Sequence, residues 1–238
     1  MGNKILKDFS HCSNCPAFNK SVFKGLENVD LDKISDIKSV NHYKKGQDLF
    51  LENAPSNALY CIAEGNIKLS KMSKDGKETI VRIASKSGLV GHRSVFSDGG
   101  PYRASATCLS ESYACLIEKV DILRLVENSA GLAMSFLKRI SKDLELSENR
   151  FANFSHFNVR ERVAALLLYL KNHFGEEEAT GILLNIKLTR DEMASLIGVA
   201  KESLIRCFAE FKDEEILLTD SKLLVVLDVD KLKDILSL

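Results

Sequence analysis

Leu188–Lys212 runs LTRDEMASLIGVAKESLIRCFAEFK and reads as two short helices about a tight turn. Thr189-Arg190-Asp191-Glu192 fits the capping-box pattern, in which the Thr hydroxyl accepts the backbone N–H three residues on and the Glu carboxylate reaches back to the Thr N–H. A helix is therefore expected to start there. Met193, Ala194, Leu196 and Ile197 give it an apolar face, and Gly198 stands where the turn needs a residue tolerant of positive φ, so the first helix should end at Ile197. Leu204, Cys207, Phe208 and Phe211 then form the buried stripe of a second helix, leaving Lys201, Glu202, Ile205 and Arg206 on or near the opposite side. An Arg binds guanine O6 and N7 together, a Glu accepts from cytosine N4 and a Lys neutralises a phosphate, so this face suits the major groove of DNA. The same charges also suit a solvated helix face with Glu202–Arg206 pairing.

The 238 residues suffice for two domains, and 45% hydrophobic with 28% charged residues is ordinary for a globular chain. No run of eighteen apolar residues occurs and the N-terminal MGNKILKDFSHCSNC lacks the apolar core of a signal peptide. The chain is thus expected in the cytoplasm, with no membrane partner and its six cysteines reduced, metal-bound or buried. Basic and acidic residues balance at 33 each. From Phe154 to Leu238, however, eleven Lys/Arg meet fifteen Asp/Glu, a net −4 where a DNA-binding domain is ordinarily basic. The acidic clusters, Glu176–Glu178 and Asp213–Glu215, lie off the proposed reading face. Specific binding should then depend on a dimer placing two helices in successive major grooves, and should weaken steeply with salt. No GxSxG, P-loop lysine or HExxH motif occurs, and no catalysis is expected.

From Val40 to Ile117 short strand-like runs alternate with turn residues, as in a small barrel or sandwich: Gln47–Leu51, Leu59–Ala63, Ile67–Met72, Glu78–Ile83 and Ser112–Ile117. Asp75-Gly76 between two of them signals a type I′ hairpin. Over Ala130–Asn153, Phe136, Ile140, Leu144, Ser147 and Phe151, continued by Phe154, recur every three or four residues. About 24 helical residues span roughly 36 Å. A single seam on such a helix packs against its own copy in a coiled-coil dimer, or against the β domain of its own chain. Asn158 can cap the next helix, with Ser155–Asn158 as a hinge. Ile216–Thr219 and Leu223–Leu227 flank Asp220-Ser221-Lys222 as a two-stranded wing would.

KKGQDLF, ALYCIAEGNIKL and DGKETIVRI, in that order and followed by the long helix and the two-helix motif, resemble the catabolite activator/fumarate-nitrate regulator (CRP/FNR) family over nearly the whole chain. Gly46 and Gly65 match turn glycines of its β-roll. The resemblance implies an α+β chain: an N-terminal CxxC segment over 1–25, a cyclic-nucleotide-binding-like β-roll sensor over 26–128, a dimerisation helix over 129–154 and a winged helix-turn-helix over 155–238. It implies a homodimeric transcription regulator, activator or repressor, that binds a palindromic promoter site and has RNA polymerase as a further partner. Glu202 and Arg206 fall on shared base-reading positions, joined by Lys201, while Lys201 and Ile205 depart from the family residues and leave the outer half-site open. Arg190, Ser203 and the wing-tip Lys222 fall at DNA-phosphate positions. Ala200 stands where the family often has a Ser or Thr cap, so the second helix should start less firmly. The competing reading is a sensing module that acts through protein partners, which the acidic C-terminal region favours.

The resemblance also frames the effector. In cyclic-AMP-responsive members a Gly-Glu pair and an Arg-Ser pair hold the ribose hydroxyl and the cyclic phosphate. Here, in LVGHRSVFSDGGPYRASATC, Gly91 is followed by His92 and Arg93, and Arg103-Ala104-Ser105 fits the Arg-Ser pair in either of two registers. On the long helix Ser147-Glu148 replaces the adenine-contacting pair, and a Glu148 near a phosphate is repulsive. These substitutions weigh against cyclic AMP. Cys12-Ser13-Asn14-Cys15 resembles the N-terminal ligand pair of the oxygen-sensing branch, and Cys115 its remote ligand, which implies an iron–sulfur cluster. The third N-terminal thiol is missing, with Lys20 and Ser21 near its place, and His11, Cys61 and Cys108 are the replacements to consider. The alternative is a cofactor-free structural pair with Cys115 as a core strand residue. A thiol-redox or zinc role for Cys12 and Cys15, and haem held by His11, His42 or His92, stay open.

Overall fold

The computed structural model describes residues 9–97, 99–220 and 223–237, the side chains of 153–155 excepted. The chain divides into two compact units between Leu146 and Ser147. In the first, 3-10 turns at Cys12–Asn14 and Phe18–Lys20 and helix α1 (Asn28–Ile37) precede strands β1 (Ser39–Tyr43), β2 (Asp48–Phe50), β3 (Ala58–Glu64), β4 (Ile67–Met72), β5 (Glu78–Ala84) and β6 (Leu89–Val90). The short α2 (His92–Val95) leads to β7 (Ser105–Cys108) and β8 (Ser112–Glu118), then α3 (Lys119–Asn128) and the long α4 (Ala130–His156). The strands form two four-stranded sheets, ordered β1-β8-β3-β6 and β2-β7-β4-β5, with antiparallel pairing throughout.

Side chains alternate across a strand, and here both faces of β3 are used. Tyr60 and Ile62 point between the two sheets, joining Ile67, Leu69, Ala106, Cys108 and Ala114. Leu59 and Cys61 point outward, into a second core with Phe23, Ile34, Leu89, Ile117, Ile122, Leu132 and Phe136 from the N-terminal segment, α1, α3 and α4. Burying each large aliphatic here contributes about 1.5–3 kcal/mol.

The predicted strand runs all appear, Ile67–Met72 with identical ends. The β4–β5 turn differs from expectation. Gly76 N–H bonds Ser73 O at 3.0 Å and Ser73 N–H bonds Lys77 O at 3.0 Å, while Gly76 has φ +75° and Asp75 is not at positive φ. Type I′ needs positive φ at both central residues, so this is a type I turn closed by a left-handed glycine.

The long helix corrects the seam in one place. Phe136 is 3% exposed and packs edge-to-face on Phe23, ring centroids 6.3 Å apart, within its own unit. Its neighbour Leu137, about 100° round the helix, is exposed instead, as are Leu144 and, in the second unit, Phe151. Leu137, Leu144 and Phe151 are seven residues apart, with Ile140 half-buried and Ser147 exposed between them, so the outward stripe follows a heptad. Phe154's side chain lies outside the described residues. The helix runs on through Ser155 to His156, and the break is confined to Phe157 and Asn158.

In the second unit α5 (Val159–Phe174) opens with a full capping box between Asn158 and Glu161. The hairpin β9 (Gly175–Glu178) and β10 (Gly181–Leu184) follows, then α6 (Arg190–Ile197), α7 (Lys201–Asp213), β11 (Leu217–Thr219), β12 (Leu224–Val226) and α8 (Val229–Ile235). The sheet order is β11-β12-β10-β9. Glu176–Glu178 form its edge strand, where three exposed carboxylates discourage pairing with another chain. No helix among the described residues is long and apolar enough to cross a membrane.

The two turn glycines give a stability test. At Gly65 (φ +92°) an added Cβ would lie 2.6 Å from Glu111 O and 2.7 Å from Ser112 Cα, whereas at Gly46 (φ +81°) it meets nothing within 4 Å. Gly65→Ala should cost about 3 kcal/mol or more and Gly46→Ala about 1 kcal/mol in urea unfolding; equal costs would refute the steric account.

Candidate functional site

The DNA-facing candidate is built by local signals that the sequence carries openly. Thr189 Oγ1 accepts from Glu192 N–H at 3.1 Å, and Glu192 Oε2 accepts from Thr189 N–H at 2.9 Å. Gly198 closes α6 at φ 62°, ψ 40°, the left-handed conformation that glycine adopts without strain. Ala200 provides no side-chain cap to α7, as expected. Leu204, Cys207, Phe208 and Phe211 are buried, and Lys201, Glu202, Ile205 and Arg206 are exposed together on the opposite face. Ser203 is half-buried beside them.

Two basic residues are already engaged. The Arg190 guanidinium donates to Thr219 Oγ1 at 2.7 Å and lies 4.8 Å over the Phe208 ring, tying α6 to α7 and β11. Lys201 Nζ pairs with Asp191 Oδ2 at 2.7 Å, a contact that raises its pKa. Glu202 and Arg206 enter no ion pair among the described residues. Asp220 N–H closes the wing on Leu223 O at 3.1 Å. Lys222, the expected wing-tip contact, lies outside the described residues.

The cassette residues do not converge on a ligand site. Gly91 (φ 79°) caps α2 where an added Cβ would come 2.9 Å from Ala58 O. His92 is 1% exposed, and its Nε2 lies 3.0 Å from Asp143 Oδ2 on α4. Arg82 Nη1 donates to the same oxygen at 3.0 Å and Arg82 Nη2 to Leu89 O at 2.9 Å. Arg139 Nε stands 3.0 Å from Asp143 Oδ1, an ion pair not aligned as a hydrogen bond. Burial lowers the His92 pKa, so the imidazole is neutral at pH 7. Burial alone raises the Asp143 pKa, but the His92 hydrogen bond and the charges of Arg82 and Arg139 outweigh it and bring it to about 2. Arg93 and Arg103 are exposed, and Ser105 Oγ accepts from Glu52 N–H at 2.9 Å. Ser147 and Glu148 are exposed on the part of α4 that belongs to the second unit. Asp143, which sequence reasoning missed, is the helix carboxylate that meets the cassette; a lone Asp on a charged helix gives no signal for a partner 51 residues away.

The cysteines behave differently. A partly open cavity is lined by Cys12, Cys15, Cys61 and Cys115, with Lys38, Phe18 and Phe23. Cys61 and Cys115 are direct partners on β3 and β8. The N-terminal pair is held from two sides. Cys12 N–H donates to Ser35 Oγ of α1 at 3.0 Å and Lys38 Nζ lies 3.5 Å from Cys12 Sγ, while Ser87 Oγ donates to Ala17 O at 2.7 Å. Burial pushes the Cys115 thiol up to about 11 and the Cys61 thiol well above its ordinary range, so both are protonated at neutral pH. Cys108 points into the other core, between the sheets. His11 contacts Asp32 and Ser13, His42 packs on Tyr113 and His92 is held by Asp143, so the three histidines do not face a common space. Among the described residues no three His, Cys, Asp or Glu side chains are placed around a single metal ion.

Comparison with known proteins finds two domain families in order along the chain: the cyclic nucleotide-binding domain over residues 40–129 and the Crp-like helix-turn-helix domain over residues 161–235. Among curated relatives, a CRP-like cAMP-activated global transcriptional regulator of Mycobacterium tuberculosis is 26% identical over 211 residues, covering 89% of this chain and 94% of that one. The anaerobic regulatory protein of Bacillus subtilis is 26% identical over 194 residues, 82% of each chain. Among solved structures, FixK2 from Bradyrhizobium japonicum superposes with a TM-score of 0.74 at 16% identity, covering 84% of this chain and 97% of that one.

The Asp143 network predicts an acid transition. Because its folded pKa is depressed from 3.8 to about 2, its stabilisation is complete above about pH 4 and is lost as pH falls from there to about 2, a total of about 2 kcal/mol. Urea unfolding across this window should show that extra loss in the wild type and not in Asp143→Asn; equal pH slopes would refute it.

Proposed function

The chain belongs to the CRP/FNR family of transcription regulators, and we propose that it works as a homodimer whose two α7 helices read the half-sites of a palindrome. The observation that carries this reading is the face of α7 itself: Glu202, Ile205 and Arg206 stand exposed on a helix anchored by four buried residues and fastened by Arg190 to the wing. We assign Glu202 and Arg206 to base edges, with Lys201 joining them once a phosphate or base displaces Asp191. Arg190, Ser203 and Lys222 are assigned to backbone phosphates, where a helix N-terminus adds its own partial positive charge. Residues 26–128 form the sensor, 129–154 the dimerisation helix and 155–238 the DNA-reading part in this scheme, which also places the protein in the cytoplasm with RNA polymerase as a partner at activated promoters.

The heptad stripe of Leu137, Leu144 and Phe151 supports the dimer, since exposed large apolar groups at that spacing are what a coiled-coil seam buries. The −4 charge of the C-terminal region makes the dimer central, because one reading helix has little electrostatic affinity to spare. On the sensor side, the Asp143 network at the cassette argues against a cyclic nucleotide in that place. We therefore take the cysteine cavity as the effector site, with Cys12, Cys15 and Cys115 as iron–sulfur ligands. The four-thiol lining and the Lys38 cation fit such a group chemically, and when bound it supplies redox- and oxygen-sensitivity that the side chains lack.

Two variants test the DNA reading. Arg206→Ala should lose about 10- to 100-fold in affinity for a palindromic probe selected from a random pool and keep its weak non-specific binding; unchanged affinity for every probe would refute the base-reading role. Leu144→Glu should sediment as a monomer and lose the selected probe steeply, whereas an unaltered dimer would remove α4 as the seam.

A further inference from the structure

We infer that Cys61 is the fourth thiolate of the cluster site, taking from the sheet the role that no third N-terminal cysteine fills. The inference rests on reading the cavity as a cluster site. It starts from strand geometry: Cys61 on β3 and Cys115 on β8 are direct partners in the antiparallel register, and partners in register project from the same face. That face is the outward one, as Leu59 beside Cys61 and Ile117 beside Cys115 both lie in the outer core. The N-terminal segment folds over it and brings Cys12 and Cys15 to the same cavity. Ser21, near the place where a third N-terminal thiol is expected, also lines the cavity, but its hydroxyl donates to Phe18 O at 2.9 Å. Cys61 is thus the thiol available to complete the set. Cys108 and Cys207 are not among the residues that line the cavity.

The arrangement also chooses between ligands. A single zinc ion with Zn–S bonds of 2.3 Å draws its sulfurs to about 3.8 Å apart, and no such trio is placed among the described residues. A polynuclear cluster bridges thiolates that stand farther apart, and four thiolates are what a [4Fe–4S] cluster requires. Each cysteine would bind iron as the thiolate and release its proton to solvent on ligation. Lys38, beside Cys12, offsets part of the negative charge that four thiolates bring into an otherwise apolar cavity.

The full-length protein would be reconstituted anaerobically with equal parts of ferrous and ferric iron and with sulfide, and its iron, acid-labile sulfide and visible absorption measured for the wild type, Cys61→Ala and Cys108→Ala. Four iron and four sulfide per chain are expected in the wild type and in Cys108→Ala, with Cys61→Ala falling to background. Unloaded Cys61→Ala should melt like unloaded Cys108→Ala, which separates lost ligation from lost folding. Should Cys61→Ala fail to fold, iodoacetamide labelling of the wild type decides: Cys61 must be protected when loaded and modified once a chelator strips the iron. A Cys61→Ala protein that loads like the wild type, or a Cys61 equally labelled in both states, overturns the assignment of Cys61 and leaves a three-cysteine cluster. A wild type that takes up no iron and sulfide overturns the cluster reading itself, and tight stoichiometric binding of Zn²⁺ alone by such a protein would replace it with a single-ion site.

Discussion

Strands β3 and β8 are buried on both faces, and most of the sensor unit depends on that. A half-exposed strand needs only one apolar register; here Tyr60, Ile62 and Ala114 must meet the opposite sheet while Leu59, Cys61, Cys115 and Ile117 meet the helices. A slip of one residue would exchange the two sets, putting Cys61 between the sheets and Tyr60 under the helices. The hydroxyl of Tyr60, which donates to Leu49 O at 3.1 Å, would then be buried without that partner, at a cost of about 1–3 kcal/mol. The register that packs the roll is therefore the register that assembles the thiols, and neither can be altered alone.

The long helix obeys a similar two-sided rule. Its sensor side is held by Leu132 and Phe136 in the outer core and, seven residues on, by Asp143 against His92 and Arg82. These holds are two helical turns, about 10.5 Å, apart. An apolar contact such as Phe136 on Phe23 tolerates sliding, whereas a carboxylate shared between the His92 imidazole and the Arg82 guanidinium, both outside the helix, fixes rotation and height together. That fixation decides where Leu137 and Leu144 point. The outer core also places Phe23 and Leu89, which line the thiol cavity, in one packed cluster with Phe136, so the cavity and the root of the dimer stripe share neighbours.

What could be read from the sequence follows the range of the interactions. The helix-turn-helix was legible almost to the residue because its determinants are local: a capping box closing within four residues, a glycine at the turn and a buried stripe at helical spacing. Strands β3, β4, β5 and β8 were legible from alternation bounded by turn residues. The short strands β6 and β7 carried too few residues to show a pattern, β1 fully buries neither face and so shows no apolar alternation, and the β9 edge looked like an acidic run because an edge strand facing solvent has no apolar period to display. Phe136 was placed on the wrong face because Phe136 and Leu137 are both apolar and adjacent, and only the tertiary fold decides which turns inward. The Asp143 network and the Cys61–Cys115 pair span 51 and 54 residues, a range over which sequence spacing specifies nothing.

The acidic balance of the DNA-reading part finds its account in where the charges sit. Glu176–Glu178 lie on the β9 edge, and Glu210 and Glu214 are paired with Arg160, so part of the negative excess is neutralised by a basic partner and part is held on another strand. What is left near the reading face is small: Arg190 is held by Thr219 and Phe208, and Lys201 by Asp191. An exposed pair such as Lys201–Asp191 contributes little by itself, and a phosphate offers the ammonium a stronger partner than a solvated carboxylate does. Releasing Asp191 at the same time returns a negative charge to the start of α6, where the helix dipole favours it but where it also faces the DNA. On the proposed reading, only a groove in which Glu202 and Arg206 meet matching bases would offset that repulsion. The modest positive charge would then make affinity conditional on sequence, and a dimer through the α4 heptad would supply the second half-site that makes the conditional binding strong.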